Sequence, residues 1–241
     1  MMDQTQQDSN TMPQVINIAE NIRQIQQKIA NYSNKYAVAN KQIKLLAVSK
    51  TKPVELIEQA YAAGQRDFGE NYLQEALLKI SQLEALTNIN WHFIGSIQSN
   101  KTRELAAHFQ WVHSVDRLKI ARRLSEQRGH SLPPLNICLQ VNTNNEASKS
   151  GMSLDELPQL VREIAQLPNL KLRGLMAIPE KAETFEQQRA ILRPLREAFE
   201  QLNANGLELD TLSMGMSNDM EAAISEGATI VRIGTAIFGG R

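Results

Sequence analysis

The chain has 241 residues, 42% of them hydrophobic, which suits one large α/β domain with a substantial core. Lysine plus arginine and aspartate plus glutamate both total 26, so no net charge draws the molecule to nucleic acid or to an anionic membrane surface. Cys138 is the only cysteine, which excludes an intrachain disulfide and a cysteine-built metal cluster.

The first 13 residues are polar and lack the basic-then-apolar order of a signal peptide, so they are read as a disordered lead-in. Residues 14–241 are read as a single domain. No apolar stretch approaches the about 20 residues that a membrane span requires. A soluble, reduced, cytoplasmic protein is expected. Residues 15–32 then place Ile16, Ile18, Ile22, Ile25 and Ile29 at near-helical spacing and predict a helix.

From Lys44 onward, short apolar runs alternate with longer amphipathic segments. The runs cover residues 44–50, 67–70, 91–96, 111–116, 136–143, 172–178, 211–217 and 229–234. Several are almost continuously apolar, the pattern of strands buried on both faces of a parallel sheet. Cys138 sits inside one of them and reads as a small core residue. Between the runs lie helical signals: Pro53 opens and Gly64 closes one segment, and Asp116 is placed to cap another. Eight strands with intervening helices predict a closed (β/α)8 barrel of the TIM type. An open doubly wound sheet is the alternative, but no glycine-rich nucleotide loop follows the first run.

Chemistry in such a barrel sits at the carboxyl ends of the strands. The first run closes on Lys50. A lysine there either snorkels to the rim or, partly desolvated, offers a free amine for Schiff-base formation. Loops after the seventh and eighth strands frequently bind phosphate. Here they carry Ser217 and Asn218, then Gly234 and Thr235, which offer hydroxyl and amide groups and room for close backbone approach. Asn218 with Glu221 also resembles the start of a capped helix. Arg232 interrupts the apolar stretch TIVRIG; a buried charge needs a partner, either Glu70 or an acceptor atom on a ligand. A Schiff-base lysine, a phosphate cup and an interior arginine together describe a site for a phosphorylated aldehyde, and pyridoxal 5′-phosphate meets all three requirements.

Other strand ends supply mostly uncharged groups. His92 and His113 read as hydrogen-bonded core histidines, and Met176 and Met214 as core packing that would also suit a cofactor wall. The polar stretch 142–151 reads as a rim or lid from which Lys149 could reach a phosphate or a partner. No metal-spaced cluster, P-loop or nucleophile elbow is present.

Longer motifs then carry a resemblance. AVSKTKP (47–53), DFGENYLQE (67–75), WHFIGSIQSNK (91–101), SKSGM (148–152), RGLMAI (173–178) and the stretch from MGMSNDMEAAI to VRIGTAIFG (214–239) are similar to the pyridoxal phosphate homeostasis protein family. The resemblance spans nearly the whole barrel. It implies the fold of the alanine racemase N-terminal domain, with Lys50 carrying the cofactor as an internal aldimine. By the same resemblance, Ser217, Gly234 and Thr235 would hold the phosphate. Arg232 would face the pyridine nitrogen, and Asn71, His92 and Met176 would lie near the ring.

An arginine at that nitrogen disfavours its protonation and weakens the ring as an electron sink. The related racemases also draw a further acid/base group from a second domain, and none is expected here. The resulting expectation is a monomeric carrier or regulator of pyridoxal phosphate, without robust turnover, that meets client enzymes or regulators transiently. A slow racemase or lyase using Lys50 as base is the enzymatic alternative. A Schiff-base aldolase acting on a phosphorylated sugar is a third reading.

Overall fold

A computed structural model describes residues 16–38, 42–143 and 150–240. Eight parallel strands close into a barrel in chain order: β1 Lys44–Val48, β2 Asp67–Glu70, β3 Asn90–Phe93, β4 Trp111–Val115, β5 Leu135–Gln140, β6 Leu170–Met176, β7 Thr211–Ser213 and β8 Ile230–Ile233. Pairing of β1 with β8, with Leu46 opposite Arg232, completes the ring. The expected architecture is therefore the one found. The expected runs ending at Lys50, Ser96 and Ser217 overshoot β1, β3 and β7, so the residues singled out for chemistry belong to the loops that follow those strands.

Helix α1 (Ile18–Lys35) precedes the barrel, and α2 (Val54–Ala62), α3 (Leu73–Gln82), α4 (Thr102–His108), α5 (Leu118–Gln127), α6 (Leu157–Ala165), α7 (Phe185–Ala204), α8 (Met220–Ser225) and α9 (Thr235–Phe238) follow the successive strands. The expected helix 15–32 begins later, because the Asn17 side chain accepts from the Glu20 N–H and sets the start. Its buried face is Ile18, Ile22, Ile25 and Ile29, each worth about 1.5–3 kcal/mol of burial. Asn21 donates to the Ile237 carbonyl at 2.8 Å, and Lys35 and Tyr36 both reach Glu221, which fastens α1 to the last two helices.

Pro53 and Gly64 bracket α2 as expected, Gly64 adopting φ +94°. Two expected caps are corrected. Arg117, not Asp116, precedes α5, and the Asp116 carboxylate accepts the Arg117 guanidinium instead. Asp219 precedes α8, and Glu221 is drawn away to α1, so no Asn218–Glu221 box forms.

Two apolar layers form. The larger lies between strands and helices; the smaller, inside the barrel, comprises Leu46, Val48, Ile94, Trp111, Cys138, Met176 and Ile230. Below it, at the amino ends of the strands, Lys44 pairs with Asp67 at 2.8 Å and Arg173 with Asp210 at 2.6 Å. Both cations lie over the Trp111 ring, at 5.8 and 4.7 Å from its centroid, which plugs that end of the barrel. The lead-in 1–13 and Lys149 fall outside the described residues, as does most of the 142–151 stretch. Among the described residues no helix is long and apolar enough to cross a membrane, and no cluster of His, Cys, Asp and Glu could hold a metal.

Candidate cofactor site

Parallel closure places the carboxyl ends of all eight strands around one mouth. Lys50 leaves β1 and is partly buried, Asn71 leaves β2, Ser217 and Asn218 follow β7, and Gly234 and Thr235 follow β8. Beneath them Met176 and Arg232 are buried within the barrel. These residues therefore converge, although 185 positions of sequence separate Lys50 from Thr235.

The backbone around Lys50 is clamped from α3. Lys79 donates to the Ser49 carbonyl at 2.7 Å and to Glu70 and Glu75 at 2.9 and 2.5 Å. Glu75 in turn accepts the Thr51 N–H at 2.6 Å, and Ser49 Oγ donates to Glu70 at 2.6 Å. Thr51 sits at φ +61°, a left-handed conformation that a β-branched residue adopts only when held. One buried ammonium and one carboxylate thus grip the residues on both sides of Lys50. Burial pushes the Glu70 carboxyl upward, against the pull of Lys79. Lys79 escaped the sequence reading; its only sequence signal is its spacing four residues after Glu75.

Arg232 is 5% exposed and donates to the Ser213 carbonyl and hydroxyl and to the Ala177 carbonyl, at 2.5, 3.0 and 2.8 Å. Glu70 is not its partner, being taken by Lys79 and Ser49. No described carboxylate lies within ion-pair distance of Arg232. Desolvation lowers its pKa to about 10, opposed mainly by the nearby charge of Asp219, and at neutral pH it remains a cation. His92 and His113 are fully buried core histidines, as read from the sequence. Both His92 ring nitrogens are engaged, by Asp67 at 3.0 Å and His113 at 2.9 Å, and its ring stacks on Trp111.

Above Arg232, α8 and α9 both start without a side-chain cap. In α9 the Ile237 N–H turns back to the Gly234 carbonyl at 2.9 Å, and the earlier amide groups of both helices, with no side-chain cap, suit an anion at the β7–β8 side of the mouth. At Gly234 an added Cβ would stand 3.1 Å from the Val48 carbonyl, so a larger residue there would have to push β1 and the loop apart by a few tenths of an ångström. On the β2–β3 side, a cavity of about 270 Å³ opens between Asn71, Phe93, Ser96 and Lys101. The Asn71 Oδ1 is buried there without a hydrogen-bond partner. An amine, an anion cradle, an uncommitted amide and a buried guanidinium with no described carboxylate partner suit a flat phosphorylated aldehyde with a ring acceptor.

Comparison with known proteins follows the same line. The family model described as alanine racemase, N-terminal domain, matches residues 15–241. A pyridoxal phosphate homeostasis protein of Pseudomonas aeruginosa is 61% identical over 224 residues, covering 93% of this chain and 96% of that protein. The solved structure of PipY from Synechococcus elongatus with pyridoxal phosphate bound is 36% identical with a TM-score of 0.81, covering 92% of this chain and all of that one. An alanine racemase from Corynebacterium glutamicum shares the fold at a TM-score of 0.71 and 17% identity, 93% of this chain matching 61% of that one. By family model, sequence and fold together, the chain belongs to the pyridoxal phosphate homeostasis protein family.

Proposed function

We propose that this protein binds pyridoxal 5′-phosphate at the carboxyl-end mouth of its barrel and serves the homeostasis of that cofactor by binding, buffering or delivering it. The observation that carries the reading is Arg232: a buried guanidinium with no described ion-pair partner, directly under the mouth that Lys50 borders. The bound group would supply an aldehyde and an electron-withdrawing ring. Lys50 provides the amine that attaches it. Ser217, Asn218, Gly234 and Thr235 hold the phosphate, Asn71 and Met176 flank the ring, and Arg232 offers its charge to the ring nitrogen. The contribution of His92 runs through its hydrogen bonds inside the barrel.

Retention rather than turnover follows from the same arginine, because a fixed positive charge opposes protonation of the ring nitrogen. The family name of the Pseudomonas relative and the cofactor in the PipY structure support this role. Residues 14–241 act as one folding unit, a cytoplasmic monomer whose open mouth exchanges cofactor with client enzymes or regulators.

The test is the visible absorption of the purified protein beside Lys50→Ala, before and after borohydride reduction. The expected result is a chromophore that reduction locks onto Lys50 and that the variant lacks. Colourless protein that takes up no added pyridoxal phosphate overturns the reading.

A further inference from the structure

Inside the barrel, between the mouth and the plugged amino end, buried polar groups follow one another without a gap. Asp67 Oδ1 lies 3.0 Å from His92 Nε2, His92 Nδ1 lies 2.9 Å from His113 Nε2, and His113 Nδ1 lies 2.7 Å from Ser213 Oγ. Arg232 reaches the same Ser213 oxygen at 3.0 Å. His113 on β4 and Ser213 on β7 belong to strands that are not neighbours, so they meet only across the barrel interior. Both histidines, Ser213 and Arg232 are at most 5% exposed.

Elementary donor and acceptor chemistry gives this chain one direction. Burial would raise the Asp67 carboxyl, but hydrogen bonds from His92 and Lys44 and the charge of Lys44 outweigh it and hold it below its usual range, so it is an acceptor at neutral pH. His92 must then present Nε2–H to it. Desolvation keeps both imidazoles neutral, which makes His92 Nδ1 an acceptor and requires Nε2–H on His113. His113 Nδ1 is in turn an acceptor, and the only proton that meets it is that of the Ser213 hydroxyl. With its proton committed there, Ser213 Oγ faces Arg232 as an acceptor. Reversing the chain would set the His92 lone pair against the Asp67 carboxylate and leave the buried Ser213 proton without an acceptor, both of which a buried polar group avoids.

We propose that Asp67, His92 and His113 are positioning residues for Arg232: a one-way hydrogen-bonded relay that links the carboxylate at the amino end of the barrel to the guanidinium beneath its mouth. Polarised hydrogen bonds in series strengthen one another in a low-dielectric interior. No described carboxylate contacts Arg232; the relay instead makes Ser213 Oγ a stronger acceptor and so fixes the direction in which the guanidinium donates. The role deepens the cofactor reading above, since it rests on Arg232 meeting the ring nitrogen.

The first arm of the test needs no cofactor. Long-range proton–nitrogen NMR of histidine-labelled protein at pH 7 should show His92 and His113 both neutral and both protonated on Nε2. An Nδ1-protonated or a charged ring at either position overturns the relay. The second arm uses pyridoxal phosphate labelled with ¹⁵N in its ring and bound to wild type, Ser213→Ala and Asp67→Asn. Both variants should move the ring nitrogen resonance, in the same direction. A shift with Ser213→Ala and none with Asp67→Asn would reduce the effect to local contact and sink the proposal. Should Asp67→Asn not fold, the tautomers of the wild type still decide. Failure of the wild type to take up the cofactor counts against the function proposed above, and the tautomer measurement judges the relay separately.

Discussion

Arg232 holds two backbone carbonyls and one hydroxyl in place from the eighth strand, bridging Ala177 and Ser213. Arg232→Met would keep much of the packing but leave those acceptors without a donor, at about 1–3 kcal/mol for each that stays buried. We expect a lower urea midpoint together with weaker retention of pyridoxal phosphate, measured as the fraction of chromophore surviving gel filtration. Full retention would separate Arg232 from the cofactor. Cys138 provides a contrast at the same scale. It is fully buried among apolar neighbours, and burial pushes its thiol far up. Thiolate is the reactive form, so a thiol-specific chromogenic reagent should label no cysteine in the native protein and one equivalent after denaturation.

At the scale of elements, β1 and α3 share one polar knot. Lys79 is 5% exposed and Glu70 fully buried, so removing one partner strands a charge. Lys79→Met should destabilise by about 3–5 kcal/mol, the cost of breaking a buried pair from one side, and should slow covalent trapping at Lys50 by freeing Ser49 and Thr51. The double variant Lys79→Met/Glu70→Leu should recover part of the stability without restoring the trapping rate. Urea denaturation and timed reduction with mass spectrometry check the two halves. Equal trapping rates in all three proteins would mean that the clamp does not position Lys50.

For the molecule as a whole, the buried histidines make stability depend on pH. Desolvation lowers both pKa values below the ordinary 6.5, so near and below that value the unfolded chain binds more protons than the native one. Their contribution is complete above about pH 6.5 and is lost on acidification toward the lowered native values, by up to about 1.4 kcal/mol per pH unit for each histidine. Glu70 and Asp219, raised by burial, act with the opposite sign as pH rises through their windows. Comparing His113→Gln with wild type between pH 5.5 and 7.5 isolates one histidine. The stability slope of the variant should be shallower, and an unchanged slope would mean that His113 takes up its proton in the native state. Across the same molecule, a closed ring leaves no exposed sheet edge, so unfolding of residues 14–241 should follow one cooperative transition.

The order of strands and helices was determined by the sequence alone, because runs buried on two faces and separated by amphipathic segments leave few alternatives to a closed barrel. That Lys50, Asn71, Ser217 and Gly234 lie around one mouth was legible for the same reason: each follows a strand, and the carboxyl ends of parallel strands share one face. Local chemistry was less well read. Asp116 was assigned a cap it does not form, since Arg117 at its side is a closer partner for its carboxylate than any helix amide. What only the tertiary structure decided is which side chains meet inside. His113 and Ser213 are 100 positions apart, and Lys79 reaches Ser49 across 30. Alternation along a strand says that a residue points inward, but the stagger of the closed barrel sets the level at which it arrives, and that level selects its partners.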